Sequence, residues 1–432
     1  MRKTVLLATL VILAAWGCRG DRTPGPAAKE EQAPDASAAA SFVAVKDGRF
    51  VLAGKAYYFA GANFWQGMNL GVDGPSGDRA RLLRELDRMR DLGLTNLRVM
   101  ASSEGPNTEP YRMVPALMTS PGEYDGSVLD GLDFLLAEMG KRGLRAVMVL
   151  NNFWQWSGGM AQYVSWHEKT PIPYPGNFDK FVNYAAKFYI YPECQAWFRD
   201  HIAMVVGRIN PYTGIKYRDD PAVFSWELGN EPRRYPQSWI DDTSAYIKSL
   251  DPNHMVTTGS EGQPPGEPTQ DFVRTHSAAG IDYATIHIWP QNWGWYDPKR
   301  PGTYKTAEPL AMAYFEKHAR DAVAMGKPLV LEEFGLARDW LPRRNNLDPA
   351  SPTTNKDLYY AILYKLVLDS IVAGGPAAGD NFWAWAGEAR PGMSWVGDPP
   401  HEPAGWYSVY DADASTLAII SDHAHRVAAF IK

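Results

Sequence analysis

The stretch VFSWELGNE, residues 223–231, contains the pattern on which the fold prediction depends. An apolar run from Val223 to Leu228 predicts a buried β-strand, and two polar residues, Asn230 and Glu231, follow it closely. Short apolar runs of this kind recur along the chain, and most of them end at a polar or aromatic side chain. We predict eight such strands, at residues 58–63, 96–100, 145–150, 223–228, 255–259, 283–287, 329–333 and 381–385.

Amphipathic helices are predicted between most of these strands. In residues 77–92, for example, Leu82, Leu83, Leu86 and Met89 recur at helical spacing. The same spacing predicts helices at residues 128–141, 178–188, 192–206, 238–250, 308–325, 354–372 and 416–431. Alternation of strands and helices predicts a parallel sheet, and eight strands are the number that closes a single (β/α)₈ TIM barrel. An open doubly wound sheet is the alternative, but no GxGxxG or GxxxxGK[ST] motif supports nucleotide binding.

The N-terminal region predicts export and a lipid anchor. Arg2 and Lys3 precede an apolar run of 11 residues, 5–15, which is too short to span a bilayer, and Gly17-Cys18 follows. This arrangement resembles a bacterial lipoprotein cleavage site with lipidation at Cys18, although Ala15 and Trp16 depart from the usual pattern. Ordinary signal-peptide cleavage nearby is the alternative. We therefore assign residues 1–18 to a signal peptide with a lipobox and expect the protein at the cell surface or in the periplasm.

Residues 19–41 are rich in Ala, Pro and charged residues and contain no aromatic side chain, so we predict a flexible linker. The folded domain is predicted over residues 42–432, beginning with a β-hairpin around Asp47-Gly48. Cys194 is expected to be a small core residue rather than a nucleophile. His423 and His425 are two positions apart in a predicted helix, so they do not share a face, and a solvated surface is expected for them.

Composition excludes several classes of function. The chain has 432 residues with a net charge of -6 and shows no basic stripe, so nucleic acid is not an expected partner. No HExxH, Cys/His cluster or GxSxG motif occurs, so no metal, cofactor or serine nucleophile is expected. The sequence contains 16 Trp, and flat aromatic faces suit sugar rings. Several of these Trp lie in loop-like stretches: Trp65, Trp154, Trp156, Trp293, Trp295 and Trp395.

Two glutamates at predicted strand ends are the candidate catalytic pair. Hydrolysis of a glycosidic bond needs a proton donor for the leaving oxygen and, on the other face of the sugar, a nucleophile or an activated water. Glu231 and Glu333 fit these needs, because strands 4 and 7 of a barrel lie across its mouth from one another. Further polar and aromatic side chains that end strands would point to the same mouth: Arg98, Asn152, His287 and Trp383.

The motifs around these residues resemble glycoside hydrolase family 5 β-mannanases. WELGNEPR (226–233) is similar to the acid/base motif of that clan of (β/α)₈ enzymes, and LVLEEFG (329–335) to its nucleophile motif. The resemblance extends over residues 42–432 and includes five further stretches: GANFWQGMNLG (61–71), GLTNLRVM (93–100), LNNFWQWSGGMAQYVSW (150–166), HIWPQNWGW (287–295) and NFWAWAG (381–387).

The resemblance implies that Glu231 is the acid/base and Glu333 the nucleophile of a retaining mannan endo-1,4-β-mannosidase. It implies that Asn230 binds the sugar 2-hydroxyl, that Arg98 holds the nucleophile ionised, and that His287 positions the acid/base. Trp383 would form the floor of the site, and Asn152, Trp154 and Trp289 would contribute to substrate binding. Trp289 stands where the wider family usually has a Tyr that donates to the nucleophile, so the nucleophile's partner is an open question.

Glu332 precedes the predicted nucleophile and competes with it for that role. Successive residues in a strand face opposite sides, so only one of the two glutamates is expected to face the site. The family pattern places the nucleophile directly before Phe-Gly, which selects Glu333.

Other functions remain open at this point. An exo-acting β-mannosidase or mannobiohydrolase, or a β-1,4-glucanase, would use the same fold and residues. A non-catalytic glycan-binding lipoprotein would be expected to lack a catalytic Glu, and both are present. The expected partner is a β-mannan polysaccharide, the only expected membrane contact is the lipid anchor, and the protein is expected to be a monomer. The sequence does not decide between mannan, glucomannan and galactomannan.

Overall fold

Eight parallel strands form the centre of the protein, seen in a computed structural model that describes residues 42–174, 177–267 and 270–431. The strands are short and most are fully buried, because each is covered on both faces. In chain order they are β1 (Phe59–Asn63), β2 (Asn96–Met100), β3 (Arg145–Val149), β4 (Val223–Glu227), β5 (Met255–Thr257), β6 (Ala284–Ile288), β7 (Leu329–Phe334) and β8 (Ala377–Phe382).

The strands are hydrogen-bonded in the order β5-β4-β3-β2-β1-β8-β7-β6. Two backbone hydrogen bonds then join the ends of this sheet: Asp282 N–H donates to Val256 O at 2.8 Å, and His287 N–H donates to Glu261 O at 3.0 Å. The sheet therefore closes into a (β/α)₈ TIM barrel, as the alternation of strands and helices predicted, and not into an open doubly wound sheet.

Helices surround the barrel, and the predicted ones are present with small shifts at their ends. The segment 178–188 is an exception, because its α-helix ends at Ala185 and continues as a 3₁₀ turn. The α-helices are Gly67–Leu70, Arg79–Asp91, Gly126–Lys141, Gly159–Glu168, Phe178–Ala185, Pro192–Gly207, Gln237–Leu250, Phe272–His276, Tyr304–Met325, Thr354–Val372 and Ala414–Ala428. None of the helices in the described part of the chain has the length and apolar composition needed to cross a bilayer.

An N-terminal β-hairpin closes the barrel at the amino ends of its strands. Strands Val43–Lys46 and Arg49–Leu52 pair antiparallel around the predicted turn. Phe50, on the second of these strands, is fully buried, and its ring meets those of Phe224 and Tyr283 edge-on at 5.3 Å each. The hairpin thus packs apolar surface onto the amino ends of the barrel, away from the carboxyl ends where the predicted site residues lie.

The last strand differs from its prediction, since β8 covers Ala377–Phe382 rather than residues 381–385. Its first half consists of small residues, so it lacks the apolar run by which the other strands were predicted. The close approach of a neighbour explains this composition: a Cβ on Gly379 would lie 2.5 Å from the Phe59 ring. The barrel interior therefore requires glycine at this position.

The prediction of a solvated surface for His423 was wrong. His423 is buried, its Nε2 lies 2.7 Å from an Asp380 carboxylate oxygen, and its ring stacks on Tyr364 at 4.0 Å. His425, in contrast, is exposed. Cys194 is buried in the core, as predicted. The signal segment, Cys18 and the linker lie outside the described residues, so those assignments stay predictions.

We expect Phe50→Ala to destabilise the fold, because it leaves a cavity among the rings that close the barrel. The loss should be about 3–5 kcal/mol in the free energy of unfolding, measured by chemical denaturation. Val323→Ala, at a helix position that is 63% exposed, is the control and should change the value by less than about 0.5 kcal/mol. Equal effects of the two substitutions would contradict a closing role for the hairpin.

Candidate active site

A cavity of about 870 Å³ opens at the carboxyl ends of the strands. Both predicted catalytic glutamates line it, together with Asn230, Trp154, Trp289 and Trp383. This is the end of a (β/α)₈ barrel at which catalytic side chains collect, because the loops that follow the strands meet there. The cavity has the size of a small-molecule pocket and a largely aromatic wall, which suits a carbohydrate.

Glu231 lies just after β4, in a backbone conformation unusual for a residue with a side chain. Its φ is 49°, in the left-handed region, and its N–H donates to Gly259 O at 2.9 Å. Two hydrogen bonds fix the carboxylate: Oε1 lies 2.7 Å from His287 Nδ1, and Oε2 accepts from Trp154 Nε1 at 2.6 Å. The backbone and two neighbours therefore aim this carboxyl group into the cavity.

Glu333 lies on β7 and is 2% exposed. Arg98 Nη1 donates to its Oε1, and its Oε2 lies 3.2 Å from His287 Nδ1. One carboxylate oxygen of Glu333 and one of Glu231 lie within 4.8 Å of each other. Retaining glycosidases have carboxyl groups about 5–5.5 Å apart, and inverting ones about 6.5–9.5 Å, so this short distance between oxygens favours the retaining arrangement.

Arg98, on β2, holds the base of the site together. It donates to both carboxylate oxygens of Glu227, at 2.6 and 2.7 Å, to Asn63 Oδ1 at 3.0 Å and to Asn230 Oδ1 at 2.8 Å. Together with the contact to Glu333, these hydrogen bonds give every N–H group of the planar guanidinium a partner. In the described part of the chain, the cationic contacts of the Glu333 carboxylate are Arg98 and His287.

Both Glu332 and Glu333 face His287, contrary to the expectation from strand alternation. The pairing of β6 with β7 passes from Ile286–Leu331 to His287–Glu333, so Glu332 is an extra residue in a bulge. Glu332 Oε2 lies 3.4 Å from His287 Nε2, and the side chain is fully buried. Glu333, unlike Glu332, lines the cavity, which is why the structure still favours it as the group that reaches a ligand.

The remaining predicted binding residues divide into two groups. Asn230, Trp154, Trp289 and Trp383 line the cavity, whereas Arg98 and His287 lie behind the carboxylates of Glu231 and Glu333. Asn152 is fully buried: its Oδ1 accepts from Trp154 N and Asn230 Nδ2, and its Nδ2 donates to Ser157. Asn152 therefore does not line the cavity as predicted; it positions Trp154 and Asn230, which do.

Several cavity residues were missed at the level of sequence. Arg233 lies at the end of the acid/base motif, pairs with Glu261 at 2.5 Å and with Glu267 at 2.9 Å, and stacks 5.0 Å from the Trp154 ring. Glu402 and Trp406 reach the cavity from the long segment after β8. Arg233 adjoins a recognised motif and could have been found by its position. Glu402 is in a loop without a motif, so only the fold brings it to the site.

Charge in this region is strongly perturbed by burial. Burial lowers the pKa of His287, but the neighbouring carboxylates of Glu333, Glu231 and Glu332 outweigh it and raise the pKa to about 10. Burial raises the pKa of Glu333, with Glu231 and Glu332, to about 7, although His287 and Arg98 oppose the shift. For Glu231, burial is outweighed by His287, Arg233 and Trp154, and the pKa falls to about 2. The carboxylates around His287 thus favour the protonated form of its ring.

By these values Glu333 keeps its proton up to about pH 7 and Glu231 is ionised, which is the reverse of the prediction that Arg98 holds Glu333 ionised while Glu231 donates. The two carboxyl groups lie close enough to share one proton. Moving that proton from Glu333 to Glu231 leaves the total charge of the site unchanged. In the arrangement with the proton on Glu231, Glu333 is ionised against Arg98, and Glu231 can donate. Donor atoms of Glu231, His287 and Glu333 also lie close enough to surround a cation, but their mutual hydrogen bonds and the Arg98 contact favour acid–base chemistry.

Comparison with known proteins places this chain in a family. The sequence model described as glycoside hydrolase family 5 β-mannosidase-like matches residues 40–432. The chain is 32% identical to mannan endo-1,4-β-mannosidase 1 of Oryza sativa subsp. japonica, over 89% of this chain and 86% of the relative. It is 31% identical to mannan endo-1,4-β-mannosidase 7 of Arabidopsis thaliana, over 82% and 80%.

Among solved structures, a glycoside hydrolase family 5 mannosidase from Rhizomucor miehei superimposes with a TM-score of 0.86 at 42% identity, covering 91% of this chain and 99% of the other. The family match extends over the whole barrel, and two closely spaced carboxyl groups lie at its mouth. This chain belongs to the β-mannosidase-like group of glycoside hydrolase family 5 and is a glycoside hydrolase.

Proposed function

We propose that this enzyme is a mannan endo-1,4-β-mannosidase that cleaves β-1,4-mannosidic bonds in mannan, glucomannan or galactomannan with retention. Glu333 is the nucleophile and Glu231 the acid/base. The observation that carries the proposal is the pair of carboxyl oxygens within 4.8 Å of each other in an aromatic cavity. Relatives that are named mannan endo-1,4-β-mannosidases and align over most of their length support the substrate.

The reaction follows from the geometry in two steps. In the first, a Glu333 oxygen attacks the anomeric carbon, the bond to the leaving oxygen breaks, and Glu231 gives that oxygen its proton. In the second, Glu231 accepts a proton from water, the water oxygen attacks the anomeric carbon, and the ester bond to Glu333 breaks. Asn230, on the cavity wall, is placed to bind the sugar beside the nucleophile, and Trp383 provides an aromatic surface beneath it.

Exo-acting β-mannosidase activity is a second candidate, favoured by a specific observation. The Rhizomucor miehei protein, which is called a mannosidase, is 42% identical to this chain, whereas the endo-acting relatives described above are 31–32% identical. Glu402 and Trp406 line the same cavity as the catalytic pair, from the segment after β8. A wall at this position would allow only the end of a polysaccharide to enter the cavity, which is how an exo-acting enzyme selects its substrate.

We further propose that Cys18 carries a lipid that anchors a monomeric enzyme to a membrane, at the cell surface or in the periplasm. The support lies in the sequence: a charged start, a short apolar run and Gly17-Cys18 precede a polar segment. The segment of residues 19–41 would act as a tether that lets the barrel reach a bulky polymer. The catalytic proposal is independent of this one, since every proposed catalytic residue lies in the barrel.

The pH dependence of kcat/KM should follow the proton that the two glutamates share. Activity needs this proton on the pair, so it should fall as the pH rises through about 7, where the pair loses it. On the acid side, activity should fall when the pair takes up a second proton. The lower pKa of the pair lies below the usual glutamate range, so the acid limb should lie below about pH 4. Initial rates on mannohexaose across pH test both limbs, and an alkaline limb above about pH 9 would contradict the shared proton.

Mannohexaose should release products whose first-formed anomer is β, seen by proton NMR. An endo-acting enzyme should give a mixture of mannobiose, mannotriose and mannotetraose early in the reaction, whereas an exo-acting one should release a single short product from one end. Glu333→Ala should form no product, and Glu231→Ala should retain part of its activity on substrates with good leaving groups. First appearance of the α-anomer would refute retention, and an active Glu333→Ala would refute the assigned nucleophile.

Cys18→Ala should move the enzyme from the membrane fraction to the soluble exported fraction with unchanged specific activity. Fractionation of cells that express the two forms, with mass spectrometry of the mature N-terminus, measures this. Ser41→Ala, in the same N-terminal region, is the matched control and should remain with the membrane. A wild-type protein recovered without lipid would refute the anchor.

A further inference from the structure

We propose that Glu332 is a positioning residue that holds His287 as an imidazolium, and that the His287 Nδ1–H stabilises the negative charge of Glu333 and of Glu231 in turn. The inference rests on the proposed function, since it assigns roles within the two-step reaction. Glu332 does not line the cavity and therefore acts through His287 rather than on the sugar.

The bulge in β7 is what makes this arrangement possible. In a regular strand Glu332 would face away from Glu333, but the extra residue between Leu331 and Glu333 turns both carboxylates towards β6. The backbone of the bulge is fixed from the neighbouring side, because Asn63 Nδ2 donates to Glu332 O at 2.9 Å. The result is a second, fully buried carboxylate behind the catalytic pair.

The two ring nitrogens of His287 have different partners. Nε2 faces Glu332 Oε2 at 3.4 Å, and Nδ1 faces Glu231 Oε1 at 2.7 Å and Glu333 Oε2 at 3.2 Å. A carboxylate on each side favours a proton on each nitrogen, because a neutral ring would leave one carboxylate facing a lone pair. The partner on Nε2 takes no part in the reaction, so this contact stays the same while the charges facing Nδ1 change.

Negative charge moves across Nδ1 during the reaction. Before bond cleavage, Glu333 is ionised and Glu231 carries the proton. When Glu333 forms its bond to the anomeric carbon and Glu231 gives its proton to the leaving oxygen, the charge passes to Glu231, and the second step returns it. Because Nδ1–H lies between the two carboxyl groups, it can donate to whichever one is ionised. The hydrogen bond then changes acceptor without any further proton transfer.

Other charged groups around the imidazole set the background and do not replace Glu332. Arg98, on β2, opposes the effect of Glu332: its Nε lies 3.8 Å from Glu332 Oε2, and its positive charge favours ionised carboxyl groups. The titratable and charged groups that face His287 and Glu332 from the packed elements are Arg98 from β2, Glu227 from β4, Glu231 after β4, Glu261 after β5, Tyr283 before β6 and Glu333 from β7.

The test is the pH profile of Glu332→Gln, a substitution that keeps the shape and removes the charge. Loss of a nearby negative charge makes the imidazolium and the shared glutamate proton easier to remove, so both pKa values fall. The alkaline limb of kcat/KM on mannohexaose should therefore move to lower pH by about one unit or more. kcat should fall while KM changes little, since Glu332 is outside the cavity. An alkaline limb that stays at the wild-type pH would overturn the inference.

A matched control separates this role from a loss of buried structure. Asp251→Asn removes another buried carboxylate from an imidazole, because Asp251 Oδ2 lies 2.7 Å from His254 Nδ1 away from the cavity. It should lower stability without moving either limb of the profile. If the wild type itself fails to hydrolyse mannohexaose with retention, the proposed function fails. If the wild type does so and Glu332→Gln leaves the limb in place, only the role of Glu332 fails.

A second measurement does not depend on the folding of any variant at position 332. In the wild-type enzyme, the ¹⁵N resonances of the His287 ring, assigned by their loss in His287→Gln, should be those of a doubly protonated ring at pH 8. A neutral ring at pH 8 would overturn the inference even if Glu332→Gln does not fold. In a folded Glu332→Gln, the same resonances should change to those of a neutral ring at a lower pH than in the wild type.

Discussion

The contact between the Arg98 guanidinium and the carboxylates around it is the constraint on which the site depends. Burying a cation is costly unless every donor finds a partner, and Arg98 meets this condition through Glu227, Glu333, Asn63 and Asn230. These partners come from β1, β4, the loop after β4, and β7. One planar side chain therefore fixes how four sections of the barrel mouth meet, and it does so at the point where the nucleophile must be held.

The chemistry of the site follows from an excess of carboxylates over cations in a small buried volume. Glu227, Glu231, Glu332 and Glu333 lie around Arg98 and His287, and Arg233 adds a third positive charge near Glu231. With every group charged, the cluster would carry net negative charge in a low dielectric, so it retains protons at pH values where exposed glutamates are ionised. A retained proton is what general acid catalysis needs, and an ionised carboxylate is what nucleophilic attack needs. The proposed roles place the proton on Glu231, which is the reverse of the order of the two pKa values.

The wall of the cavity depends on a second buried charge network. Glu402 and Trp406 belong to a long segment after β8, whose backbone is held by Lys356 Nζ donating to Tyr407 O and Ser408 O at 2.9 and 2.8 Å. Asp398 accepts from the N–H groups of Gly405 and Tyr407 at 2.7 and 2.6 Å. These bonds give an irregular loop defined partners for its backbone, which a loop needs if it is to keep a fixed shape against a substrate.

Sequence alone determined the barrel of this protein and predicted its catalytic pair. Apolar runs such as Val223–Glu227 are local signals of a buried strand, and the order of the two glutamate motifs fixes which strand ends carry them. β8 escaped this reasoning because its small residues are set by the Phe59 ring from β1, a neighbour distant in sequence. The expectation of a solvated His423 failed for the same reason, since its partner Asp380 lies on that strand.

Only the tertiary structure decided which site residues line the cavity and which lie behind it. Alternation along a strand predicted one glutamate facing the site, but the pairing of β7 with β6 contains a bulge, and pairing is a property of two strands rather than of one sequence segment. Asn152 follows its strand as predicted. Its side-chain amide, however, is hydrogen-bonded to Trp154 and Asn230 and therefore does not line the cavity. Residue types at strand ends are thus determined locally, whereas their contacts and protonation states depend on charges and backbones that only the closed barrel brings together.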